Sequence, residues 1–470
     1  MVSFAFAKTK RYQNLVIMRI PKKAPDYLLL ITDVLLKQPD IIRRSLESPA
    51  RDIIHQANNE AWNWEDCSYR AHLSGMNAPE LWALVKLSRL RDRYTTPLFD
   101  SNRKPFTYRL PPAAHRILHR IDSDLGGSIG SPLDTTLNED EKNRFLLTSL
   151  REEAISSSMI EGAVSTRKEA DEMIRSKRKP KTIGERMILN NYTTIQFLNR
   201  QKHEVLTPEI IMQVQRTLIH NTLEHEDAAG RLRYPVENIK VYDEDEQQIL
   251  HQPPPAEELS ERIAKMCAFA NASTILDVKT DFIHPAIRAI ILHFWLAYDH
   301  PFVDGNGRTA RALFYWCMLK NGYWLAEFLT ISTIIAGHPK KYARAYLDTE
   351  IDDNDLTYYI MYHLDVIERS INVFRDYIRE KQSEQSRFQL VQVSQLNPRQ
   401  QALLIRALKD PLAIFTYESH SNSHGVTIYT ARNDLLNLEK LGLLRGNRKG
   451  RQFEFTPAPN ISDVLKKLAS

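Results

Sequence analysis

Apolar residues recur at helical spacing along most of this chain. Between Ala24 and Arg91 the runs PDYLLLITDVLLKQPDIIRRSL and APELWALVKLSRLRDR each place an apolar stripe against a charged face, as amphipathic helices do. After a Pro-containing stretch, KPFTYRLPPAAHRI, the segment NEDEKNRFLLTSLREEAISSSMIEG carries Phe145, Leu146, Leu150 and Met159 on one side. Gly162 is its natural left-handed stop. ERMILNNYTTIQFLNRQ and PEIIMQVQRTLIHNTL continue the helical pattern. The period changes between Arg231 and Leu250, where Val236, Ile239 and Val241 alternate with polar residues. That alternation predicts a short hairpin. HQPPPAEELSERIAKMCAFAN then returns to helix after a proline start. Beyond SEQSRFQLVQVSQLNP, read as a linker, the pattern predicts helices over Pro398–Lys409 and Tyr429–Leu441. A hairpin with a basic tip, LLRGNRKGRQFEFTPA, follows.

The expected fold is mainly α: a helical core with one small β-hairpin, an N-terminal helical or mixed accessory domain, and a C-terminal winged helix-turn-helix. The boundaries read as 1–110 for the accessory domain and 111–385 for the core, which contains a helix over about 140–162 and the hairpin over about 233–242. A linker over 386–396 precedes the C-terminal domain over 397–470.

Composition changes this picture little. At 470 residues the chain is longer than one compact core accommodates. Sixty-three Lys and Arg against 58 Asp and Glu leave a formal charge of +5, too little over this length to mark a nucleic-acid binder. Between Gln401 and Ser470, however, ten basic residues face six acidic ones, and Arg445, Arg448, Lys449 and Arg451 gather at the hairpin tip. Cys67, Cys267 and Cys317 are scattered without metal-ligand spacing. They read as buried apolar residues of a reducing compartment. The N-terminus lacks the pattern of a cleaved leader, and the longest apolar stretch, Ala286–Tyr298, is too short to span a bilayer and contains Arg288 and His293. The expectation is a cytoplasmic protein without membrane association.

The concentrated chemistry lies in His300–Arg311, HPFVDGNGRTAR. Two glycines around Asn306 open directly into a helix. Gly305 and Gly307 let amides turn inward, and the helix start adds unpaired N–H groups and a positive dipole end, which suits phosphate. The following helix buries Ala310, Leu313, Phe314, Cys317 and Met318, so Arg308 and Arg311 lie off that stripe, within reach of the loop. Asp304 supplies a hard oxygen for magnesium held jointly with phosphate oxygens. His300 is suited to accept a proton from an attacking hydroxyl. A solitary His-Pro is a turn and a solitary Gly-Asn-Gly a tight connection. Their joint occurrence with both arginines points to group transfer from a nucleoside triphosphate. The Walker pattern is absent.

HPFVDGNGRTAR resembles the signature of the Fic (filamentation induced by cAMP) family, HPFx(D/E)GNGRxxR, at every defining position, and the resemblance extends over roughly Glu153–Ile367. It implies a protein adenylyltransferase that uses ATP and Mg2+. His300 would deprotonate a Ser, Thr or Tyr hydroxyl of a protein target, the chain itself included, and AMP would be transferred. Asp304 would hold the metal, Asn306 with the Gly305 and Gly307 amides would orient the α-phosphate, and Arg308 and Arg311 would bind the β- and γ-phosphates. Ile239, Lys240 and Val241 resemble the flap that pins a target strand by backbone pairing. The resemblance also makes a homodimer an expectation.

Ser157-Ser158-Met159-Ile160-Glu161-Gly162 places Glu161 at a helix C-terminus, where the dipole disfavours a negative charge and a cation is wanted. Beside a Fic signature this SxxxEG resembles the family's inhibitory motif, N-terminal to the core. Ser157, Glu161 and Gly162 would then form a brake in which Glu161 pairs with Arg311 at the γ-phosphate position. Other readings remain open: another donor, removal of AMP, or a DNA-binding transcriptional regulator that uses the core as a sensor. Tyr342 and Tyr346 face either adenine or the interior, with packing expected for at least one.

Overall fold

The computed structural model describes residues 20–126, 139–223, 226–242, 248–272, 282–392, 395–449 and 452–469. The fold is mainly helical, with three separate two-stranded antiparallel hairpins among the described residues. Two compact units form, Met1–Phe374 and Arg375–Ser470. No helix among the described residues is long and apolar enough to cross a membrane.

In the larger unit, helix α1 (Ala78–Arg89) starts at Asn77, whose side chain caps the Glu80 amide while Glu80 returns the bond. Strands β1 (Tyr94–Phe99) and β2 (Pro105–Tyr108) follow. The expected separation of 1–110 from the core does not hold. Lys86 is fully buried in an ion pair with Asp352 at 2.9 Å, Arg89 reaches the Tyr358 hydroxyl, and Thr107 bonds the backbone on either side of Asp355. A buried charge cannot leave its partner cheaply, so these bonds fuse the N-terminal helices to the core.

Around the site the order is α2 (Glu139–Ile160), α3 (Ile183–Arg200), α4 (Pro208–Ile219), β3 (Val241–Tyr242), β4 (Ile249–His251), α5 (Pro285–Asp299), α6 (Asn306–Lys320), α7 (Pro339–Ile351) and α8 (Thr357–Val391). Thr182 and Thr207 cap α3 and α4 through their hydroxyls. Helices α5 and α6 are buried over nearly their whole lengths; α5 reads as almost continuously apolar, whereas α6 opens with the polar run NGRTAR and buries both of its arginines. Helix α2 packs Leu150, Ala154 and Ile155 against Ile188 and Ile195 of α3. The expected hairpin forms, but shifted: the strands are Val241–Tyr242 and Ile249–His251, with Val241 opposite His251. Pro235–Glu237 is a short 3-10 turn closed by Asn238 in the left-handed region, so 233–242 supplies one strand of the pair and not the whole hairpin.

The boundary between units falls inside α8, which continues to Val391 through the first part of the stretch expected as a linker. The smaller unit adds α9 (Pro398–Lys409), α10 (Tyr417–His424), α11 (Ile428–Lys440), β5 (Leu444–Lys449), β6 (Gln452–Pro457) and α12 (Ile461–Ala469). Its core is Leu403, Leu404, Leu435, Leu438, Leu443, Phe455 and Leu465. Asp434 sits almost buried among Asn397, Arg399 and His420, joining α9, α10 and α11. Helix α10 is absent from the sequence expectation because YESHSNSH carries no apolar stripe. It is held by its Thr416 cap and by buried His420.

Candidate functional site

The site lies where α5 ends and α6 begins. Helix α5 stops at His300, whose backbone is left-handed at φ 44°, a conformation costly for a residue with a Cβ. The half-buried imidazole points Nδ1 at the Ala297 carbonyl, 3.3 Å away. A carbonyl only accepts, so Nδ1 carries the proton and the Nε2 lone pair is left for chemistry. Burial, and then the charge of His251, push the His300 pKa down to about 4. His300 is therefore neutral at neutral pH, the form a base requires.

Gly305 turns the chain at φ 84° and α6 begins at Asn306. The amides of Asn306, Gly307 and Arg308 lie in its first turn, without carbonyl partners inside the helix. The Asn306 side chain is nearly inaccessible, and both ends of its amide bond the Phe302 backbone, at 2.9 and 3.0 Å. Bracing the loop therefore occupies the Asn306 side chain. Its backbone amide lies in the first turn of α6. Asp304 bonds its own loop at the Gly305 amide, 2.6 Å, and Arg308 at 3.2 Å. Gln215 of α4 takes the Asp304 carbonyl at 3.0 Å and the Gly230 amide at 2.6 Å.

Arg308 and Arg311 are both buried, and each keeps one guanidinium nitrogen without a hydrogen-bond partner. Arg308 also reaches the Leu218 carbonyl at 3.3 Å. Arg311 binds the Ser157 hydroxyl at 2.8 Å, the Ser157 carbonyl at 2.9 Å and Glu161 Oε1 at 2.9 Å. Two buried arginines beside unpaired amides suit an anion of several charges. Helix α2 ends at Ile160 and Gly162 is left-handed at φ 86°, which leaves Glu161 just past the helix, against Gly307. Burial pushes the Glu161 carboxyl up, but Arg311 and Arg308 outweigh it and the net shift is downward. The structure thus brings Ser157, Glu161, Gly162, Gly307 and Arg311 together.

The flap residues divide. Ile239 is buried, Lys240 is half-buried and Val241 pairs in β3, so Ile239 anchors the segment instead of presenting an edge. Tyr342 and Tyr346 pack: the Tyr342 hydroxyl bonds His293 and Tyr346, and Tyr346 bonds Tyr359. The three cysteines are free and buried, their pKa values raised to about 12 by burial. Among the described residues no group of three or more His, Cys, Asp or Glu could hold a metal by itself. The sequence reading missed Gln215, Arg233 and His251. Arg233 and His251 lie in stretches informative only for their period, and none carries a local pattern that announces its partner.

Fold and site together define a helical domain that presents a helix-start anion cradle beside a neutral histidine. Residues 205–318 match the Fic/DOC family, and the chain carries a Fic domain there. Protein adenylyltransferase Fic of Nematostella vectensis is 33% identical over 123 residues, 26% of this chain and 25% of that protein. Protein adenylyltransferase fic-1 of Caenorhabditis elegans is 29% identical over 133 residues, 27% of this chain and 23% of that protein. This chain thus spans about a quarter of the length of these curated relatives. Among solved structures, a Fic family protein from Desulfovibrio desulfuricans G20 aligns with a TM-score of 0.45 and 19% identity, over 75% of this chain and 98% of that one. Fic-1 from C. elegans aligns with a TM-score of 0.45 and 19% identity, over 76% and 90%.

Proposed function

We propose that this chain transfers AMP from ATP to a hydroxyl of a protein, its own hydroxyls included, and that Glu161 holds the reaction largely off. The observation that carries the proposal is the Arg311–Glu161 pair at 2.9 Å, set against Gly307 at the start of α6. A carboxylate sits where the cradle would receive the outermost phosphate. The names of these curated relatives support the same reading.

His300 Nε2 accepts the hydroxyl proton as the oxygen bonds the α-phosphorus. The bond from that phosphorus to the bridging oxygen breaks, and pyrophosphate leaves with the electron pair. First-turn amides and Arg308 offset charge on the phosphates, an arrangement that depends on fixed donors. Asp304, a quarter exposed and placed beside the cradle, is the residue that would hold magnesium, with phosphate oxygens and water completing its shell. When bound, the metal would neutralise charge on the phosphates. The β3–β4 hairpin is the segment that would pair with a target strand. Mass spectrometry of the purified chain after incubation with ATP and magnesium tests the reaction. The expected gain is one AMP, and a phosphate gain or no adduct from the Glu161→Gly protein would refute it.

A second reading concerns the smaller unit. Arg445, Arg448 and Lys449 are exposed on β5, and α11 exposes Tyr429 and Arg432. We infer a winged helix-turn-helix that contacts nucleic-acid phosphates through this basic hairpin.

A further inference from the structure

A helix end leaves its last carbonyls without intrahelical donors. At the end of α5, next to the catalytic candidate, every one of these carbonyls has a partner. The Leu296 carbonyl takes the His300 amide at 3.0 Å and the Ala297 carbonyl faces the His300 ring. The Tyr298 carbonyl takes His251 Nε2 at 2.7 Å. Arg233 takes the rest: Nη2 bonds the Asp299 carbonyl at 3.4 Å and Nε bonds the His300 carbonyl at 2.9 Å. Its own amide bonds the Pro301 carbonyl at 2.8 Å. The same Nη2 ties back to Pro254 at 2.5 Å. Arg233 is buried, so these bonds are not exchanged with water.

His251 has two partners that only accept, the Tyr298 carbonyl and Glu350 Oε2 at 2.8 Å. Both ring nitrogens therefore donate when Glu350 is ionised, and the ring is cationic. Two cations thus sit at the negative end of the α5 dipole, the favourable end for them. Both come from the flap: Arg233 precedes β3 and His251 closes β4.

We propose that Arg233 is a positioning residue for His300, and that Arg233 with His251 forms a cationic cap joining the flap to the base. The cap holds the left-handed His300 backbone and so fixes which way Nε2 points. A target strand that pairs with the flap then acts on the same residues that orient the proton acceptor. Arg233 touches no reacting atom; its effect passes through the His300 peptide. This inference rests on the AMP-transfer reading, and its test has a part that does not.

The test uses the full chain in the Glu161→Gly background, with self-labelling by adenine-tagged ATP, and compares Arg233→Ala with Arg233→Lys. Arg233→Ala should lower kcat on the order of a hundredfold, the scale expected for a misplaced catalytic group, with KM for ATP changed by less than about twofold. Arg233→Lys should recover about a tenth or more of the parent rate, because one donor can still reach the His300 carbonyl. Independently, nitrogen NMR of the His300 ring should show the Nδ1-protonated tautomer in the parent and a mixture in Arg233→Ala. If the Glu161→Gly protein labels nothing, the AMP-transfer reading fails, and the NMR comparison alone decides this one. Unchanged kcat, or an unchanged His300 tautomer in a folded Arg233→Ala protein, overturns the proposal.

Discussion

Replacing Glu161 by Gly removes one charge-assisted hydrogen bond to Arg311 and leaves the two bonds from Arg311 to Ser157 in place. The guanidinium therefore stays where it is and only its competitor is lost. A hydrogen bond to a charged group is worth about 1.5–3 kcal/mol, and each 1.4 kcal/mol is roughly tenfold in an equilibrium. The Glu161 side chain is 25% exposed, so water screens the pair and the lower half of that range applies. Productive ATP binding, and with it self-labelling, should rise by roughly 10- to 50-fold in Glu161→Gly. Glu161→Gln keeps an acceptor but loses the charge and should fall between the two. In-gel labelling with tagged ATP measures the rate, and a thermal melt confirms that both variants are folded. A rise of less than about twofold in the Gly variant would refute the brake.

Four further outcomes follow, three from the same site and one from the smaller unit. His300→Ala should abolish labelling while calorimetry still shows ATP binding, and persistent transfer would remove His300 from its role. Followed by NMR, His300 should titrate near 4 and not at 6.5. As pH falls from 6.5 toward 4 the unfolded chain takes up a proton that the folded site refuses, so this residue lowers stability through that window; a titration at 6.5 contradicts the burial argument. A methyl at Gly307 would stand 3.0 Å from Glu161 Cδ and 3.2 Å from Arg311 Nη1. Gly307→Ala should therefore lower the melting temperature by several degrees, and Glu161→Gly should restore most of it, a non-additivity expected of touching residues. Binding of the chain to duplex DNA should weaken steeply as salt rises and fall further in Arg448→Ala. Salt-independent binding would disprove phosphate contact through β5.

The site was legible in the sequence because its parts are consecutive. His300, Asp304, Gly305, Asn306, Gly307, Arg308 and Arg311 share one loop and the first two helical turns after it, so spacing alone brings them together. Ser157, Glu161 and Gly162 lie far away in sequence, and only their resemblance to an inhibitory motif linked them to Arg311. The residues that spacing could not reveal form pairs across long separations. Lys86 meets Asp352, Arg233 meets His300, and His251 meets Glu350. The periodic pattern of each partner carries no mark of the other. Helix α10 stayed hidden for the opposite reason: its polar residues are locally helical but lack the stripe that announces burial.

In the proposed brake Arg311 would have two occupations, which would make the site genetically asymmetric. The restraint and the proposed grip on the outer phosphate use the same guanidinium, so no change to Arg311 can release one without losing the other. A screen for unrestrained variants should return substitutions at Glu161, and at Ser157 where they loosen the end of α2. A screen for dead enzyme should return Arg311. On that reading restraint would be lost by a single substitution at one carboxylate, whereas no single change on the arginine side would restore activity.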